Sequence, residues 1–308
     1  MWIFIVLGIL GFLLLVLVIS AIIVASGTFY YHHKEVSNVP SDIEQRKDME
    51  PILEKLFALE KEPYQDIYIS SFDKTKLRGR FYRYNGSNKY AILFHGYHGT
   101  AIRDFSGGFW ILKDEGFNIL LVDERAHGLS KSKVITMGVK EKRDVKAWSE
   151  YITNTYQNSE IVLVGISMGA ASILMASDLD LPSNVKCMIA DCPYNSVKDI
   201  CLKTCTQDLH VPAFIGWPVL ILGAFFSGFN IYQGNAMKSV EKTNIPCLII
   251  HGESDTLVPP EMSKMIYDAN QGVVERHTFP HATHGLSYLV DEHRYIEITS
   301  QFINKYFK

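Results

Sequence analysis

The sequence predicts an α/β fold in which a mostly parallel sheet is covered by helices on both faces and is preceded by one membrane-spanning helix. From residue 65 onward, short apolar runs alternate with longer amphipathic stretches, as strands and helices do in such a sheet. Residues 2–25 form a separate apolar run without charge, which is long enough to cross a bilayer. Together these patterns indicate an anchored α/β domain.

Length and composition fit one large α/β domain with a short extension. The 308 residues are 47% hydrophobic and 20% charged, which is ordinary for a globular protein with a substantial core. The net charge of −3 gives no broad basic surface, so the sequence does not point to nucleic acid. The five cysteines show neither a disulfide framework nor a zinc-binding spacing, and we interpret them as small buried side chains.

The N-terminal run Trp2–Ala25 is apolar except for glycines and one serine. As a helix it would span about 36 Å, enough for a bilayer with some tilt. A cleaved signal peptide is the competing interpretation, but it would normally carry a positively charged start and a shorter apolar run. We predict an uncleaved single-pass anchor, with Phe29–Tyr31 at the membrane interface. The charges that follow leave the side of the membrane open.

The chain divides into three predicted units, which are a transmembrane anchor in residues 1–31, a stalk or linker helix in residues 32–64, and the α/β domain in residues 65–308. Within the linker, helix-prone residues follow Pro40–Asp42, a typical helix start. The domain then begins with two alternating segments on either side of Asp73-Lys74, which predict a hairpin.

Further strands and helices are predicted after this hairpin. The predicted strands are Tyr90–Phe94, Ile119–Val122, Ile161–Val164, Val185–Ala190, Cys247–His251 and Val273–Phe279. The predicted helices are Phe105–Glu115, Val139–Tyr156, Ser167–Ala176, Pro260–Asn270 and Arg294–Phe307. In such sheets ligand sites lie beyond the carboxyl ends of the strands. The residues that follow each strand are therefore the candidates for chemistry.

The strand Ile161–Val164 runs directly into Gly165–Gly169, which reads Gly-Ile-Ser-Met-Gly, and an alanine-rich helix follows. Gly-x-Ser-x-Gly between a strand and a helix is typical of a nucleophile elbow, a strained turn that projects a serine hydroxyl. The glycines lack Cβ atoms, so the strand and the helix can approach closely. We predict that Ser167 is a nucleophile.

A serine hydroxyl needs a general base at neutral pH, and after this type of elbow the acid and then the histidine follow the serine along the chain. His284 comes after the last predicted strand, where a loop can carry its imidazole over Ser167. His281, three residues earlier, is the rival, and we interpret it as a surface or supporting residue.

Asp255 is the predicted acid, because it follows the strand Cys247–His251 and its carboxylate can hold the tautomer of the histidine. Two alternatives stay open. Glu253 lies two residues earlier, and Asp191 ends the preceding strand.

Acyl transfer also needs N–H donors aimed at the developing oxyanion. We predict the amide of Met168, directly after the nucleophile, and the amide of Tyr97, in the loop after the third strand. His95 and His98 in the same loop raise a zinc site as an alternative, but no carboxylate or third ligand lies near them in the sequence. We therefore expect neither a metal nor a cofactor.

These motifs resemble those of the α/β-hydrolase superfamily, and in particular bacterial single-span, membrane-anchored hydrolases of the esterase/lipase-like and prolyl-oligopeptidase-like branch. The resemblance extends from about residue 65 to the end of the chain. The matching stretches are His95–Thr100, Leu121–Ser130, Gly165–Ala170, Ile249–Asp255 and His281–Gly285. The resemblance implies the α/β-hydrolase fold and hydrolysis through an acyl-serine intermediate without a cofactor. It does not specify a substrate.

Residues 193–242 separate the sixth and seventh strands and are long for a simple connection. We predict a small helical cap here, with an apolar segment at Val211–Phe226 that lines an acyl pocket or dips into lipid. Plain packing of helices on the core is the alternative. An apolar cap beside an anchor favours an acyl ester or a lipid as the substrate.

The leading prediction is a carboxylic-ester hydrolase whose partners are a small acyl ester or lipid and the bilayer around residues 2–25. A prolyl-oligopeptidase-like peptidase is the second, although the residues before position 65 are too few for the gating domain that such enzymes use. An acyltransferase or thioesterase could use the same residues. An inactive membrane-tethered binding module is the non-enzymatic alternative, and retention of Ser167, Asp255 and His284 argues against it.

Overall fold

The computed structural model of the protein describes residues 1–31, 38–39, 50–84 and 86–307. Its centre is one sheet, and every predicted strand is present in it. The strands are β1 Gln65–Ser70, β2 Lys76–Tyr82, β3 Lys89–Phe94, β4 Asn118–Asp123, β5 Glu160–Ile166, β6 Val185–Asp191, β7 Cys247–Gly252 and β8 Val274–Phe279. They lie in the order β1-β2-β4-β3-β5-β6-β7-β8.

The strand directions confirm the predicted mostly parallel sheet. The hairpin β1–β2 is antiparallel, and β2 pairs antiparallel with β4, whereas β3 to β8 are all parallel to one another. Because the parallel strands have their carboxyl ends at one edge, the loops after β3, β5, β6, β7 and β8 converge there. All the predicted site residues are in these loops or at their margins.

Apolar residues of each parallel strand are buried on both faces, which is why these strands read as continuous hydrophobic runs. In β3, Ile92 and Phe94 belong to the core on one face, while Ala91 and Leu93 belong to the core on the other. Each of these four side chains is fully buried. The sheet is therefore the middle layer of three, and helices cover both sides.

Helices lie at each predicted position, with ends that differ by a few residues. The helices are α1 Trp2–Val24, α2 Leu53–Lys61, α3 Ala101–Asp104, α4 Gly108–Asp114, α5 Glu141–Thr155, α6 Met168–Ala176, α7 Val197–Lys203, α8 Ala213–Phe226, α9 Ala236–Val240, α10 Pro260–Ala269, α11 Ser287–Val290 and α12 Glu292–Tyr306. The predicted helix over Phe105–Glu115 is α4, which begins three residues later at Gly108, and the short helix α3 precedes it.

The N-terminal helix is longer than predicted, because α1 continues through a π-helical turn at Ala25–Phe29. Among the described residues it is the one helix long and apolar enough to cross a membrane, a property that a signal sequence shares. In the linker, α2 is present, while the expected start at Pro40–Asp42 lies outside the described residues.

The segment 193–242 is mainly helical, with α7, α8 and α9. The apolar helix α8 packs against α1, where Gly223 lies beside the backbone of Ala21 and Ala25. Lys203 at the end of α7 reaches across to the loop after β7 and donates to the carbonyl oxygen of Thr256.

Candidate active site

Ser167 occupies the turn between β5 and α6 in a conformation that side chains rarely adopt, with φ at 54° and ψ at −112°. Its amide donates to the carbonyl of Asp191 at the end of β6, at 2.8 Å, which fixes the turn against the sheet. The flanking glycines are required sterically. A Cβ atom on Gly165 would lie 2.5 Å from the amide of Ala170, and one on Gly169 would lie 1.9 Å from the carbonyl oxygen of Phe94. The strained turn directs the hydroxyl away from the core.

The structure brings Ser167, His284 and Asp255 into one hydrogen-bonded chain. The Oγ atom of Ser167 lies 2.8 Å from Nε2 of His284. On the other side of the ring, Nδ1 lies 2.7 Å from Oδ2 of Asp255. With a proton on Nδ1 donated to the carboxylate, Nε2 is free to accept the proton of the hydroxyl. The three side chains come from the loops after β5, β7 and β8.

Asp255 is buried and receives more hydrogen bonds than the histidine alone provides. Its Oδ1 atom accepts from the amides of Leu257 and Val258, at 3.0 and 2.8 Å. His251 at the end of β7 places Nε2 3.3 Å from Oδ2. Burial by itself would raise the pKa of this carboxyl, but hydrogen bonds from His251 and His284 outweigh it and hold the pKa below its ordinary value. Asp255 is therefore charged at neutral pH.

The rival residues occupy other positions. His281 is exposed in the turn after β8. Glu253 is exposed and accepts a hydrogen bond from the hydroxyl of Thr278. Neither has a hydrogen bond to Ser167 or His284 among the described residues.

Asp191, the third candidate for the acid, is buried beneath the site. Its Oδ2 atom accepts from the hydroxyl of Tyr295 at 3.0 Å, while Oδ1 has no partner among the described residues. Burial raises its pKa to about 6. His284 donates to Asp255 instead, so Asp191 stands beside the hydrogen-bonded chain rather than in it.

The loop after β3 lies close to Ser167, and the oxyanion hole at the amides of Tyr97 and Met168 stays a prediction. A Cβ atom on Gly96, the residue before Tyr97, would lie 3.4 Å from the Cβ of Ser167. Met168 is the first residue of α6, where a helix leaves its amides without partners. Asp104 holds the loop in place, because its Oδ2 atom accepts from the amide of Gly96 at 2.8 Å.

One histidine of this loop, His95, uses both ring nitrogens within the protein. His95 is buried, its Nδ1 faces the carbonyl of Gly96 at 2.8 Å, and its Nε2 accepts from the amide of Glu124 at 3.1 Å. Burial lowers the pKa of both His95 and His98. This arrangement gives no support to zinc at His95 and His98.

Cys192 is the remaining metal-ligand type near the site, because its sulfur lies 3.9 Å from Nε2 of His284. With Asp255 and His284 it forms a group of donor atoms within 4.8 Å of one another. However, burial raises the pKa of the Cys192 thiol well above its ordinary value, whereas a metal binds the thiolate. The residues do not fit a metal well.

Ser167 and His284 open into a cavity of about 610 Å³. Its wall is mainly apolar, with Arg103 and Asp104 as the charged members on one side and Asp191 at the base. Apolar residues of the wall include Ile111, Leu112, Val164, Ile189, Leu286 and Leu289. No described residue of the segment 193–242 lines it.

Two residues at the site were not expected from the sequence, namely Asp104 and His251. Asp104 reaches back eight residues to Gly96 through a turn, and no spacing pattern marks such a contact. His251 lies at the end of β7, four residues before Asp255. This short spacing is visible in the sequence, but only the fold shows that the two side chains meet.

Comparison with known proteins gives a family match and a curated relative with a partial alignment. The family described as serine aminopeptidase, S33, matches residues 87–230. The chain is 26% identical over 196 residues to the uncharacterized protein YqkD of Bacillus subtilis, an alignment that covers 62% of this chain and 63% of that protein.

Solved structures give broader coverage. The Pyrococcus furiosus esterase Pf2001 is 25% identical with a TM-score of 0.68, over 91% of this chain and 99% of the esterase. An esterase from Exiguobacterium antarcticum is 18% identical with a TM-score of 0.57, over 78% of this chain and all of that one. The second likeness concerns the fold alone.

Proposed function

We propose that this chain, which belongs to the α/β-hydrolase superfamily, hydrolyses carboxylic esters through an acyl-serine intermediate on Ser167. The observation that carries the proposal is the continuous hydrogen-bonded chain from Ser167 through His284 to Asp255. The esterase activity named for the similar structure from Pyrococcus furiosus supports it. The family match and the fold establish a hydrolase, while the ester bond and the serine are the proposed part.

In the proposed reaction, the Oγ atom of Ser167 attacks the ester carbonyl and its proton passes to Nε2 of His284. The carbonyl oxygen becomes an oxyanion, which the amides of Tyr97 and Met168 stabilise. His284 then donates the proton to the leaving alcohol, and an acyl-serine remains. Water activated by His284 attacks this ester, so the acid is released and Ser167 regains its proton. Asp255 stays charged and holds the ring.

The cavity supports an acyl substrate of short or medium chain or a lipid. Its apolar wall lies beside Ser167, where the acyl group of an ester would extend. Burial of each methylene in such a wall contributes about 0.8 kcal/mol. Longer acyl chains should therefore bind more tightly until the cavity is full.

We also propose that α1 is an uncleaved anchor and that the chain consists of the anchor 1–31, the linker 32–64 and the hydrolase domain 65–308. Three residues at the end of α1 are buried against the domain, namely Ala21, Ala25 and Phe29, with exposures of 0, 3 and 0%. A signal peptide has no need of such contacts. The segment 193–242 remains our candidate for a cap unit.

A peptidase is the second candidate, and the description of the matching family favours it. The same serine and histidine would cleave an amide by the same steps. An amide substrate would need a site for its amine side, and Asp104, Asp191 and Arg103 are the acidic and basic side chains that line the cavity.

The test is a panel of p-nitrophenyl esters of increasing acyl length together with aminoacyl p-nitroanilides. Ser106 also lines the cavity, but its hydroxyl donates to the carbonyl of Arg103 and has no histidine partner, so Ser106→Ala is the matched control for Ser167→Ala. We expect ester cleavage that peaks at one acyl length, survives Ser106→Ala and is lost in Ser167→Ala. Anilide cleavage without ester cleavage would favour the peptidase.

A further inference from the structure

We propose that the exposed apolar side of α8 lies in the same bilayer that α1 spans, so that two packed helices hold the domain against the membrane. This inference rests on the proposal that α1 is a membrane span. It concerns a surface that the reaction itself does not use, because no described residue of α8 lines the cavity.

The surface of α8 has the composition of a lipid-facing helix. Four of its large apolar side chains are exposed, with 79% for Phe214, 50% for Ile215, 71% for Phe225 and 43% for Phe226. No Asp, Glu, Lys or Arg occurs between residues 209 and 237. Large apolar side chains exposed at both ends of one helix, with no charged residue along it, indicate contact with a partner or a membrane.

The position of α8 favours the bilayer as the environment of its exposed apolar side chains, because α8 packs directly on α1. Gly223 allows this approach, since a Cβ atom there would lie 3.2 Å from the carbonyl oxygen of Ala21 and 3.5 Å from the amide of Ala25. Below α8, the ring of Phe229 meets Phe29 edge to face, with centroids 5.0 Å apart. Phe225 and Phe226 follow Gly223 within three residues, so they lie at the level of Ala21–Ala25 in α1.

The length of α1 indicates where Phe225 and Phe226 of α8 lie relative to the bilayer. Residues 2–16 of α1 are exposed all round, and as a helix these fifteen residues span only about 22 Å. The hydrocarbon core is about 30 Å thick and needs roughly 20 residues. A bilayer around α1 must therefore extend to about residue 21, where α8 is already in contact. The exposed phenylalanines of α8 then lie at the boundary between hydrocarbon and headgroups.

This arrangement also brings the cavity to the membrane surface. The hydroxyl of Tyr97, which lines the cavity, donates to the carbonyl of Thr28 at 2.8 Å. The next carbonyl, that of Phe29, accepts from the amide of Ile135 in the domain at 2.8 Å. The end of α1 is thus bonded to the loop over Ser167, and the cavity lies within one side chain of the anchor.

The test measures where a fluorophore on α8 lies in vesicles of phosphatidylcholine that contain the full chain. Phe226→Cys is labelled with bimane, and Phe57→Cys is the matched control, because Phe57 has almost the same exposure at 45% but lies on α2, which packs on the other face of the sheet. Leu10→Cys reports on α1 itself. The five native cysteines are all buried, and the unmodified chain gives the background labelling.

Emission is compared with 5-doxyl phosphatidylcholine in the bilayer and with iodide in the water. We expect the doxyl lipid to quench the label at position 226 at least twofold and iodide to quench it weakly, with the opposite result at position 57. A second label, at Phe225→Cys, should follow position 226. These four positions together place α8 relative to the bilayer.

Strong iodide quenching at position 226, with position 10 quenched by the doxyl lipid, would overturn this inference and leave the anchor intact. A label at position 226 that neither agent quenches would also overturn it, because a second copy of the chain would then cover α8. Absence of doxyl quenching at position 10 would instead refute the membrane span and the inference with it.

Discussion

The Nε2 atom of His251 lies 3.3 Å from Oδ2 of Asp255, the same carboxylate oxygen that faces Nδ1 of His284 at 2.7 Å. Nε2 also lies 2.8 Å from the carbonyl of Val258, so its proton is shared between that carbonyl and the carboxylate. His251 and Asp255 are both buried. A second imidazole thus contacts the same carboxylate oxygen as the first.

Substitution of this second imidazole should weaken both the site and the fold. We expect His251→Leu to lower kcat about tenfold and the free energy of unfolding by about 1–3 kcal/mol, because a buried carboxylate loses a donor. Since hydrogen bonds hold the pKa of Asp255 below its ordinary value, this stability is present at neutral pH and is lost as the pH falls through that pKa. The difference between the variant and the wild type should therefore shrink in acid.

The measurement is chemical denaturation at a series of pH values. His277 on the neighbouring strand β8 is half-buried and has no contact with Asp255, so His277→Leu is the control. An equal loss of kcat in both variants would show that His251 has no special role.

The identity of the acid can be tested with a pair of isosteric variants. Asp255→Asn should lower kcat on the order of 10³–10⁴-fold, because the histidine loses the carboxylate that fixes its tautomer. Asp191→Asn should leave kcat within about threefold of the wild type, since Asp191 bonds to Tyr295 and not to His284. The measurement is kcat of both variants on one ester. A larger loss of kcat in Asp191→Asn than in Asp255→Asn would assign the role of the acid to Asp191.

The ionised Asp191 should also lower the free energy of unfolding at neutral pH. Burial raises its pKa to about 6, so the folded chain holds this proton more tightly than the unfolded chain does. Stability consequently falls as the pH rises from about 4 through about 6, as the carboxyl loses its proton in the interior. We expect Asp191→Asn to raise the free energy of unfolding by on the order of 2 kcal/mol at pH 7 and to have little effect at pH 4.

Thermal or urea denaturation at both pH values checks this effect. If Asp191→Asn raised the free energy of unfolding as much at pH 4 as at pH 7, the effect would not come from ionisation of Asp191. A simple packing effect would then be the cause.

Asp104 should act on catalysis through the loop over Ser167. Its carboxylate accepts from the amide of Gly96, next to the predicted donor Tyr97. Loss of one oxyanion donor costs about 10²–10³ in kcat, and a loosened loop should cost less, about tenfold for Asp104→Ala. Asp114 is exposed at the end of α4, so Asp114→Ala is the control. A change in KM alone would show that Asp104 contacts substrate and does not order the loop.

The sequence predicted the sheet well, because buried parallel strands read as short apolar runs and each is followed by a recognisable turn. The same logic placed Ser167, His284 and Asp255 at one edge of the sheet. It could not choose between Asp255 and Asp191 from spacing, because both end adjacent strands. The choice depends on which carboxylate the imidazole of His284 faces, and only the three-dimensional structure shows this.

Other features lay outside the reach of sequence patterns. The helix α8 is apolar on all sides, so no periodicity shows which side packs on α1 and which is exposed. The cavity wall comes largely from α4 and the loop before α11, whereas the sequence predicted that an apolar segment within residues 193–242 lines the pocket or dips into lipid. Asp104 and His251 work through contacts between loops, and such contacts leave no regular spacing.

The central claim is that His284 activates the hydroxyl of Ser167, and covalent labelling tests it most directly. The full chain is treated with a fluorophosphonate, digested and mapped by mass spectrometry, with His284→Ala and Ser106→Ala in parallel. We expect one adduct, on the peptide that contains Ser167, which persists in Ser106→Ala and forms at least a hundredfold more slowly in His284→Ala. Ester hydrolysis with Ser167 unlabelled, or labelling that does not depend on His284, would contradict the claim.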